Sequence, residues 1–330
     1  MLVAMTRFLK RLLTSACFLP LFWGHAAAPQ LSEKLSGVER IVVLGDSITQ
    51  DGNWVADVDC WLLSQGLKLE IINLGLGSET ASDVSDAENS GHTQKYGFPR
   101  PAISERLQRA LVATHPDLVL ACYGMNDSDL LPEGEAGLLR FSQAITHLRE
   151  ACLNAGVKNV VLVGPTVREC KAGEWDKNIK NKNLEDYTRW LVGQRAKGWI
   201  TVDTHTHLRS ALEERRKQQP EFMFTKDGVH PQREGHWLIA KAVLEQWLGA
   251  DLGNKAQAEE LFSKDGVMVR KLVWERQRLR FDAWMTAIGH QRPGVAGGPK
   301  AKAGLSIKEA ELKAQELGAK IAACCGAPKN

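Results

Sequence analysis

Ser47 is the first residue whose type and position suggest covalent chemistry. It follows the apolar run 41–44 (IVVL), after Gly45 and Asp46. A serine hydroxyl is a weak nucleophile at neutral pH and attacks a carbonyl group only when a base takes its proton. Because Ser47 could instead cap the next helix, the choice depends on whether the chain also supplies a base.

A base is offered by the stretch DGVHP at 227–231. Asp227 and His230 are three residues apart, so one turn can bring both side chains to the same side. An imidazole can take the serine proton, and a carboxylate can fix the imidazole tautomer and stabilise the imidazolium that forms. The same spacing is also typical of a plain turn in which His230 is merely exposed.

Two further stretches could stabilise negative charge on a reacting oxygen. In YGMND (123–127), Asn126 carries a side-chain N–H donor that cannot ionise, and NLGLGSET (73–80) could present backbone N–H groups in a tight loop. The transition state of acyl transfer needs such donors aimed at its oxyanion. An Asx turn and an ordinary connection between strand and helix are the alternative interpretations.

The elements that must position these residues alternate along the chain. Apolar runs predict strands over 41–44, 69–74, 117–122, 157–163 and 199–202. Helical spacing of apolar residues follows each run, over 53–64, 103–113, 138–153, 184–195 and 233–248. This alternation predicts an α/β fold of βαβ units with a parallel sheet. Because parallel strands end at one edge of a sheet, we expect the polar stretches to converge on one crevice.

Residues 79–101 form a connection that is long for a compact domain. Loops of this length are usually functional or disordered. Arg100 lies in this loop between two prolines and is a candidate to bind a polar or anionic group of a substrate, although a surface arginine is the simpler interpretation. Trp54, in the first predicted helix, is a candidate to stack on a sugar ring, but its spacing suits the core as well.

The chain beyond about residue 250 contains no predicted strand. Ser306 and Glu309 form a capping box at the start of a last helix. The predicted segments are a domain at 29–250, helices at 256–288, a linker rich in Pro, Gly and Lys at 289–304, and a final helix to about 323. The helical C-terminal extension, 251–330, either binds a partner or braces the domain.

Residues 1–28 have the order of a secretory signal peptide: basic residues, then an apolar run, then three alanines before Pro29. An anchor helix is the alternative, but the run is short for a membrane span. Removal of this segment takes three of the 42 basic residues and leaves 39 against 39 acidic ones. A nearly neutral protein has no positive field to attract nucleic acid. We therefore expect a secreted or periplasmic protein with no membrane span after cleavage and no nucleic-acid partner.

The four polar stretches, in this order, resemble the motifs of the SGNH, or GDSL, hydrolases over roughly residues 40–248. The resemblance implies a three-layer α/β/α sandwich with a central parallel five-stranded sheet, flavodoxin-like in type, here followed by C-terminal helices. It also implies that Ser47 is the nucleophile, His230 the base and Asp227 its partner, with no metal or organic cofactor.

The oxyanion hole implied by the resemblance contains Asn126 and the backbone N–H groups of Ser47 and of the loop at Gly75, Gly77 and Ser78. This sequence departs from the family at Ser78, where a glycine is usual. The change keeps a backbone donor but makes a positive φ less comfortable. The residue of this loop whose amide faces the oxyanion is therefore left open.

Members of the family are esterases, lipases, thioesterases and carbohydrate deacetylases. Together with the signal-like segment, the polar 79–101 loop favours an exported serine esterase that removes O-acetyl groups from carbohydrate. A lipase or thioesterase is the nearest alternative, and a non-catalytic glycan-binding protein on the same fold is the alternative from another class.

The signal-like segment gives a direct prediction. The native protein is expected to begin near Pro29 and to be found outside the cytoplasm, because a signal peptidase removes such a segment during export. N-terminal sequencing of protein purified from its natural host checks this. An intact Met1 in the cytoplasmic fraction would contradict it.

Overall fold

Five parallel strands form the centre of the protein, and their carboxyl ends share one edge. The structure, a computed structural model, describes residues 29–84, 91–171, 173–175 and 178–325, so the predicted signal peptide lies outside the described residues. The strands are β1 Arg40–Gly45, β2 Glu70–Asn73, β3 Leu118–Cys122, β4 Asn159–Val163 and β5 Ile200–Val202. Their order is β2-β1-β3-β4-β5, which is the flavodoxin-like order. The predicted fold class is confirmed.

Helices cover both faces of this sheet. Those that precede β3 are α1 Pro29–Lys34, α2 Ser47–Asp51, α3 Asn53–Ser64, α4 His92–Tyr96 and α5 Leu107–Thr114. Those that follow β3 are α6 Met125–Leu130, α7 Glu135–Asn154, α8 Ile179–Gly193, α9 Thr204–Arg216, α10 Arg233–Val243, α11 Gly266–Ile288 and α12 Ile307–Cys325. No helix in the described ranges combines the length and apolar character needed to cross a bilayer.

Two apolar layers result from the alternation of side chains along each strand. Val42 and Leu44 of β1 pack with α5, α7 and α8, whereas Ile41 and Val43 pack with α3 and α10 on the other face. Full burial of each such side chain contributes roughly 1.5–3 kcal/mol. The middle residues of β1 are therefore apolar on both faces, as is typical of buried parallel strands.

Helix α11 passes across the outer edge of the sheet, against β2. Val269 and Val273, in its first half, join the layer that contains α3 and α10. Phe281 and Met285, in its second half, join the layer on the opposite face. An edge strand presents unpaired backbone groups that can pair with another chain, and α11 covers that edge here.

Buried charges fasten α11 to α3. Arg276 Nη2 lies 2.9 Å from Asp59 Oδ2, and Gln277 Nε2 donates to the same carboxylate at 2.7 Å. Arg270 Nε also donates to the buried Asp57, at 3.1 Å. Charges are buried at acceptable cost only when they are paired. The extension is therefore joined to the α/β layers by specific contacts as well as by apolar packing.

The predicted segments after α11 are also held in place. Val295 and Ala296, within the predicted linker, are buried. Ser306 Oγ lies 2.6 Å from Glu309 Oε2, and the Glu309 N–H donates to Ser306 Oγ, so the capping box opens α12. Helix α12 packs along α11. The domain boundary near residue 250 and the role of the extension both stay predictions.

The Asp59–Arg276 contact gives a stability prediction. Asp59→Ala is expected to lower the free energy of unfolding by about 3–5 kcal/mol, because it leaves a buried guanidinium unpaired. Lys271→Ala is the control, since this side chain on the same helix is 66% exposed; it should change the value by less than about 0.5 kcal/mol. Urea unfolding followed by circular dichroism measures both. Equal midpoints for the two variants would contradict the anchoring role of Asp59.

Candidate active site

Ser47 lies where β1 ends and α2 begins. Asp46 is the N-cap of α2, and its Oδ1 accepts a hydrogen bond from the Ile48 N–H at 3.0 Å. Capping is therefore performed by Asp46, which leaves the Ser47 hydroxyl available. Burial raises the pKa of Asp46 to about 7.

The structure brings Ser47, His230 and Asp227 together. Ser47 Oγ is 2.8 Å from His230 Nε2, and His230 Nδ1 is 2.6 Å from Asp227 Oδ2. In the tautomer with hydrogen on Nδ1, His230 donates to Asp227 and accepts from the serine hydroxyl. This arrangement can take a proton from Ser47 and pair the resulting imidazolium with a carboxylate.

Asp227 is held in its ionised form. Partial burial is the largest influence and raises its pKa, but hydrogen bonds from the His230 side chain and from the amides of His230 and Val229 outweigh it. The pKa of Asp227 is consequently lowered to about 2. The His230 and Asp227 side chains are about half exposed, at 51% and 54%, so the site is open to solvent.

The loop that carries Asp227 and His230 is fixed by Glu169, which the sequence analysis missed. This buried carboxylate accepts hydrogen bonds from the amides of Phe224 and Thr225 and from the Thr225 hydroxyl. The Glu169 N–H also donates to the Gly228 carbonyl at 2.8 Å. Glu169 is distant in sequence from the residues it holds, and no local pattern marks it.

In the 75–78 loop, the three candidate amides have different partners. The Gly75 N–H donates to Asn73 Oδ1 at 2.8 Å, and the Gly77 N–H donates to Gln50 Oε1 at 2.6 Å. The Ser78 N–H has no acceptor within the described part of the chain. Ser78 has a φ of 68°, so it adopts the left-handed conformation that glycine would adopt more easily. Of the three, Ser78 is the amide that remains available to a ligand.

Asn126, at the start of α6, is oriented by two partners. Its Nδ2 donates to the Glu79 carbonyl at 3.0 Å, and its Oδ1 accepts from Arg100 Nη1 at 3.3 Å. Arg100 Nη1 also donates to the Ser78 carbonyl at 3.2 Å. A side-chain amide has two N–H groups, so one donor of Asn126 remains for a ligand. Arg100 thus lies beside Asn126 and the 75–78 loop.

Asp127 ties the same loop to α6. Its Oδ1 accepts from the N–H groups of Ala81 at 3.1 Å and Ser82 at 2.8 Å. It is fully buried, and burial raises its pKa. The motif at 123–127 indicated a role for Asn126, whereas the supporting role of Asp127 was not predicted.

Trp54 lies in the core, which was the second of its two interpretations. The prediction that it binds a sugar ring is wrong, because its side chain is 0% exposed and lies in the apolar layer with α3 and α10. A ring in that position cannot present a face to a ligand. Within the described ranges, no three His, Cys, Asp or Glu side chains are grouped so that they could hold a metal ion.

Solved structures similar to this chain share its fold. Axe2, an acetylxylan esterase from Geobacillus stearothermophilus, aligns with a TM-score of 0.50 and 21% identity over 66% of this chain and 97% of that one. A mutant of Axe2 described as an acetyl-xylooligosaccharide esterase gives a TM-score of 0.50 and 19% identity, with the same coverage.

A gut microbial diltiazem-metabolizing enzyme aligns with a TM-score of 0.44 and 18% identity over 64% of this chain. The match spans 47% of the length of that enzyme. No curated protein matches the chain in sequence.

The family comparison covers more than half of the chain. Residues 43–238 match the model of the GDSL-like lipase/acylhydrolase family. This range contains Ser47, Asn126, Asp227 and His230, the residues on which the resemblance was based. The chain therefore belongs to the GDSL-like lipase/acylhydrolase family and is a carboxylic ester hydrolase.

Proposed function

We propose that the protein is a serine esterase that cleaves its substrate through an acyl-enzyme on Ser47. The observation that carries this proposal is the hydrogen-bonded series from Ser47 through His230 to Asp227. It lies at the same sheet edge as the available donors of Ser78 and Asn126. A nucleophile, a base and an oxyanion hole are the parts that acyl transfer requires.

The proposed reaction has two stages. Ser47 Oγ attacks the ester carbonyl carbon while His230 Nε2 takes the hydroxyl proton. The carbonyl oxygen becomes an oxyanion, to which the N–H groups of Ser47, Ser78 and Asn126 donate. When the intermediate collapses, the bond to the alcohol oxygen breaks and His230 returns the proton to that oxygen. Water then attacks the acyl-enzyme with His230 again as base, which releases the acid and restores Ser47.

Asp227 supports both stages without exchanging a proton. With a pKa lowered to about 2, it stays a carboxylate throughout the neutral range. It accepts the Nδ1 hydrogen of His230 and so fixes the tautomer whose Nε2 faces the serine. It also stabilises the positive charge that His230 gains in each stage.

For the substrate, we propose an O-acetyl group on a carbohydrate, cleaved by an exported enzyme. The half-exposed His230 and Asp227 side chains support this, because an open site admits a bulky alcohol. Axe2, which has the same fold, is an acetylxylan esterase, so the fold is compatible with acetylated glycans. The signal-like first 28 residues support export.

The catalytic series predicts graded losses of activity. Ser47→Ala and His230→Ala should each lower kcat by about 10⁶-fold, since the nucleophile and the base act as a unit. Asp227→Asn should lose about 10⁴-fold, because the base remains but in the wrong tautomer. Acetate released from acetylated xylan and colour released from short-chain nitrophenyl esters measure the rates.

Ser36→Ala is the matched control. Ser36 is exposed and precedes the amino end of β1, far from the carboxyl ends of the strands, so both rates should be unchanged. Circular dichroism must show that each variant folds. Full activity in folded Ser47→Ala would falsify the mechanism. Preference for long acyl chains over acetate would replace the glycan deacetylase proposal by a lipase. Complete inactivity of the wild-type protein on esters would leave a glycan-binding role.

The proposed oxyanion hole predicts different effects on kcat for substitutions at Asn126 and at Ser78. Asn126→Ala should lower kcat by about 10²–10³-fold with KM little changed, because the donor acts on charge that develops in the transition state. Ser78 should act through its amide, so Ser78→Ala and Ser78→Gly should both keep most activity. Steady-state kinetics on a short-chain ester measure these effects. A loss in both Ser78 variants as large as that in Asn126→Ala would show that the hydroxyl is the working group.

A further inference from the structure

Arg292 lies in the C-terminal extension and contacts the 75–78 loop. Its backbone lies in the short segment after α11, where the Arg292 N–H donates to His290 Nδ1 at 3.1 Å and His290 Nε2 donates to the Ala296 carbonyl at 2.9 Å. Arg109, on α5, donates to the carbonyls of Ile288 and Gly289. The backbone from which the Arg292 side chain extends is therefore held in place by hydrogen bonds, two of them from α5.

The guanidinium of Arg292 lies against Gly77. A β-carbon at Gly77 would be 3.0 Å from its Cζ, Nε and Nη2. The Arg292 Cζ is also 5.8 Å from the centroid of the Phe98 ring. Gly77 directly precedes Ser78, so Arg292 places a positive charge next to the proposed oxyanion hole.

Arg100 places a second positive charge against the same loop. Its Nη1 makes two long hydrogen bonds, to the Ser78 carbonyl and to Asn126 Oδ1. The nearby carboxylates are engaged elsewhere: Asp129 pairs with Lys180 and Arg168, and Asp127 accepts backbone amides. Arg100 forms no ion pair with any residue that the structure describes.

Both guanidinium groups are half-buried without a carboxylate partner. In each, the Nε is buried and has no hydrogen-bond acceptor among the described residues. Burial lowers the pKa of Arg292, and burial likewise lowers that of Arg100 against the opposing effect of Asp129, Asp127 and Tyr96. An arginine cannot give up its proton at physiological pH, so the cost of this desolvation persists until an anion binds.

Three more deeply buried arginines, by contrast, each have a carboxylate partner. Arg106 pairs with Glu79, Arg276 with Asp59 and Arg280 with Glu311. The protein thus supplies a carboxylate to buried guanidinium groups that brace the fold. Arg100 and Arg292, which flank the proposed site, have no such carboxylate among the residues that the structure describes.

We infer that Arg100 and Arg292 form a subsite for a carboxylate carried by the ester substrate. This inference rests on the proposed esterase function and narrows its substrate to acidic esters. The planar fork of a guanidinium matches a carboxylate in two parallel hydrogen bonds. The carboxylate can belong to the alcohol, as in an acetylated uronic acid, or to the acyl group, as in the half-ester of a dicarboxylic acid.

Two matched pairs of substrates test this inference and distinguish the two sources. The first pair is an O-acetylated methyl glucuronide and the corresponding O-acetylated methyl glucoside, which differ in charge on the alcohol. The second pair is para-nitrophenyl hydrogen succinate and para-nitrophenyl butyrate, which differ in charge on the acyl group. The wild-type protein is expected to favour the acidic member of one pair by about 10- to 100-fold in kcat/KM, as suits charge-assisted hydrogen bonds.

Arg292→Ala and Arg292→Gln should bring that ratio close to one, mainly through KM for the acidic member. Gln keeps much of the side-chain volume, so agreement between the two variants excludes a packing effect. Arg189→Ala is the control, because it removes the same charge from a side chain that is 74% exposed on α8, and the ratio should stay at its wild-type value.

A wild-type protein that does not favour the acidic member of either pair overturns the inference and leaves the esterase proposal intact. An unchanged ratio in both Arg292 variants overturns it as well. Failure of the wild-type protein to hydrolyse any of the four esters overturns the esterase proposal and this inference together.

Discussion

The buried ion pair between Arg106 and Glu79 organises the end of the molecule where the proposed site lies. Arg106 donates to both carboxylate oxygens of Glu79 at 2.6 Å and to the Leu74 carbonyl at 2.6 Å. The Tyr123 hydroxyl donates to the same carboxylate at 2.7 Å. These bonds join the end of β2, the end of the 75–78 loop, the start of α5 and the end of β3. The loop has no regular secondary structure, so its shape depends on this pair.

A loop fixed in this way has the donors of the proposed oxyanion hole aligned before a substrate arrives. The Glu79 carbonyl accepts from Asn126, so the residue that pairs with Arg106 also orients the side-chain donor. Ser78 keeps its positive φ within the same loop. Preorganised donors need no rearrangement at the moment of reaction, which is the main source of their effect on rate. Helix α11 contributes too, since its Met285 Sδ accepts a long hydrogen bond from Arg106 Nη1 at 4.0 Å.

The sequence predicted the sheet and the residues at its carboxyl edge because both depend on local patterns. Runs such as 41–44 are apolar and β-branched, and parallel strands must end together, so Ser47, Asn126 and His230 could be assigned to one edge. The choice between a sugar-binding and a core position for Trp54 could not be made from its spacing, for a physical reason. Helix α3 is buried on nearly every side because α10 and α11 pack against it, and spacing along α3 alone cannot show a partner that lies far along the chain.

The extension shows a second limit of local patterns. Its Pro- and Gly-rich segment predicted a linker, yet the glycines permit close packing. A β-carbon at Gly297 would lie 2.0 Å from the Met285 carbonyl oxygen, and one at Gly304 would lie 2.3 Å from that of Asp282. The glycines that suggest a flexible linker are required here, because a side chain at either position would clash with the backbone of α11. Glu169 and Arg292 contact residues that are distant in sequence, so their positions beside the site are evident only in the folded structure.

The path of α11 across β2 has a consequence for the order of folding. The last strand ends at Val202, but the cover for the outer edge also needs α11, which ends at Ile288. Until α11 has packed, a chain with a finished sheet presents a bare edge strand, on which a second chain can pair. At the opposite edge β5 is only three residues long, and the Thr201 carbonyl accepts a hydrogen bond from Arg195 Nη2, which limits pairing there. The two edges of one sheet are thus protected at different stages of folding, β5 by nearby residues and β2 by the distant helix α11.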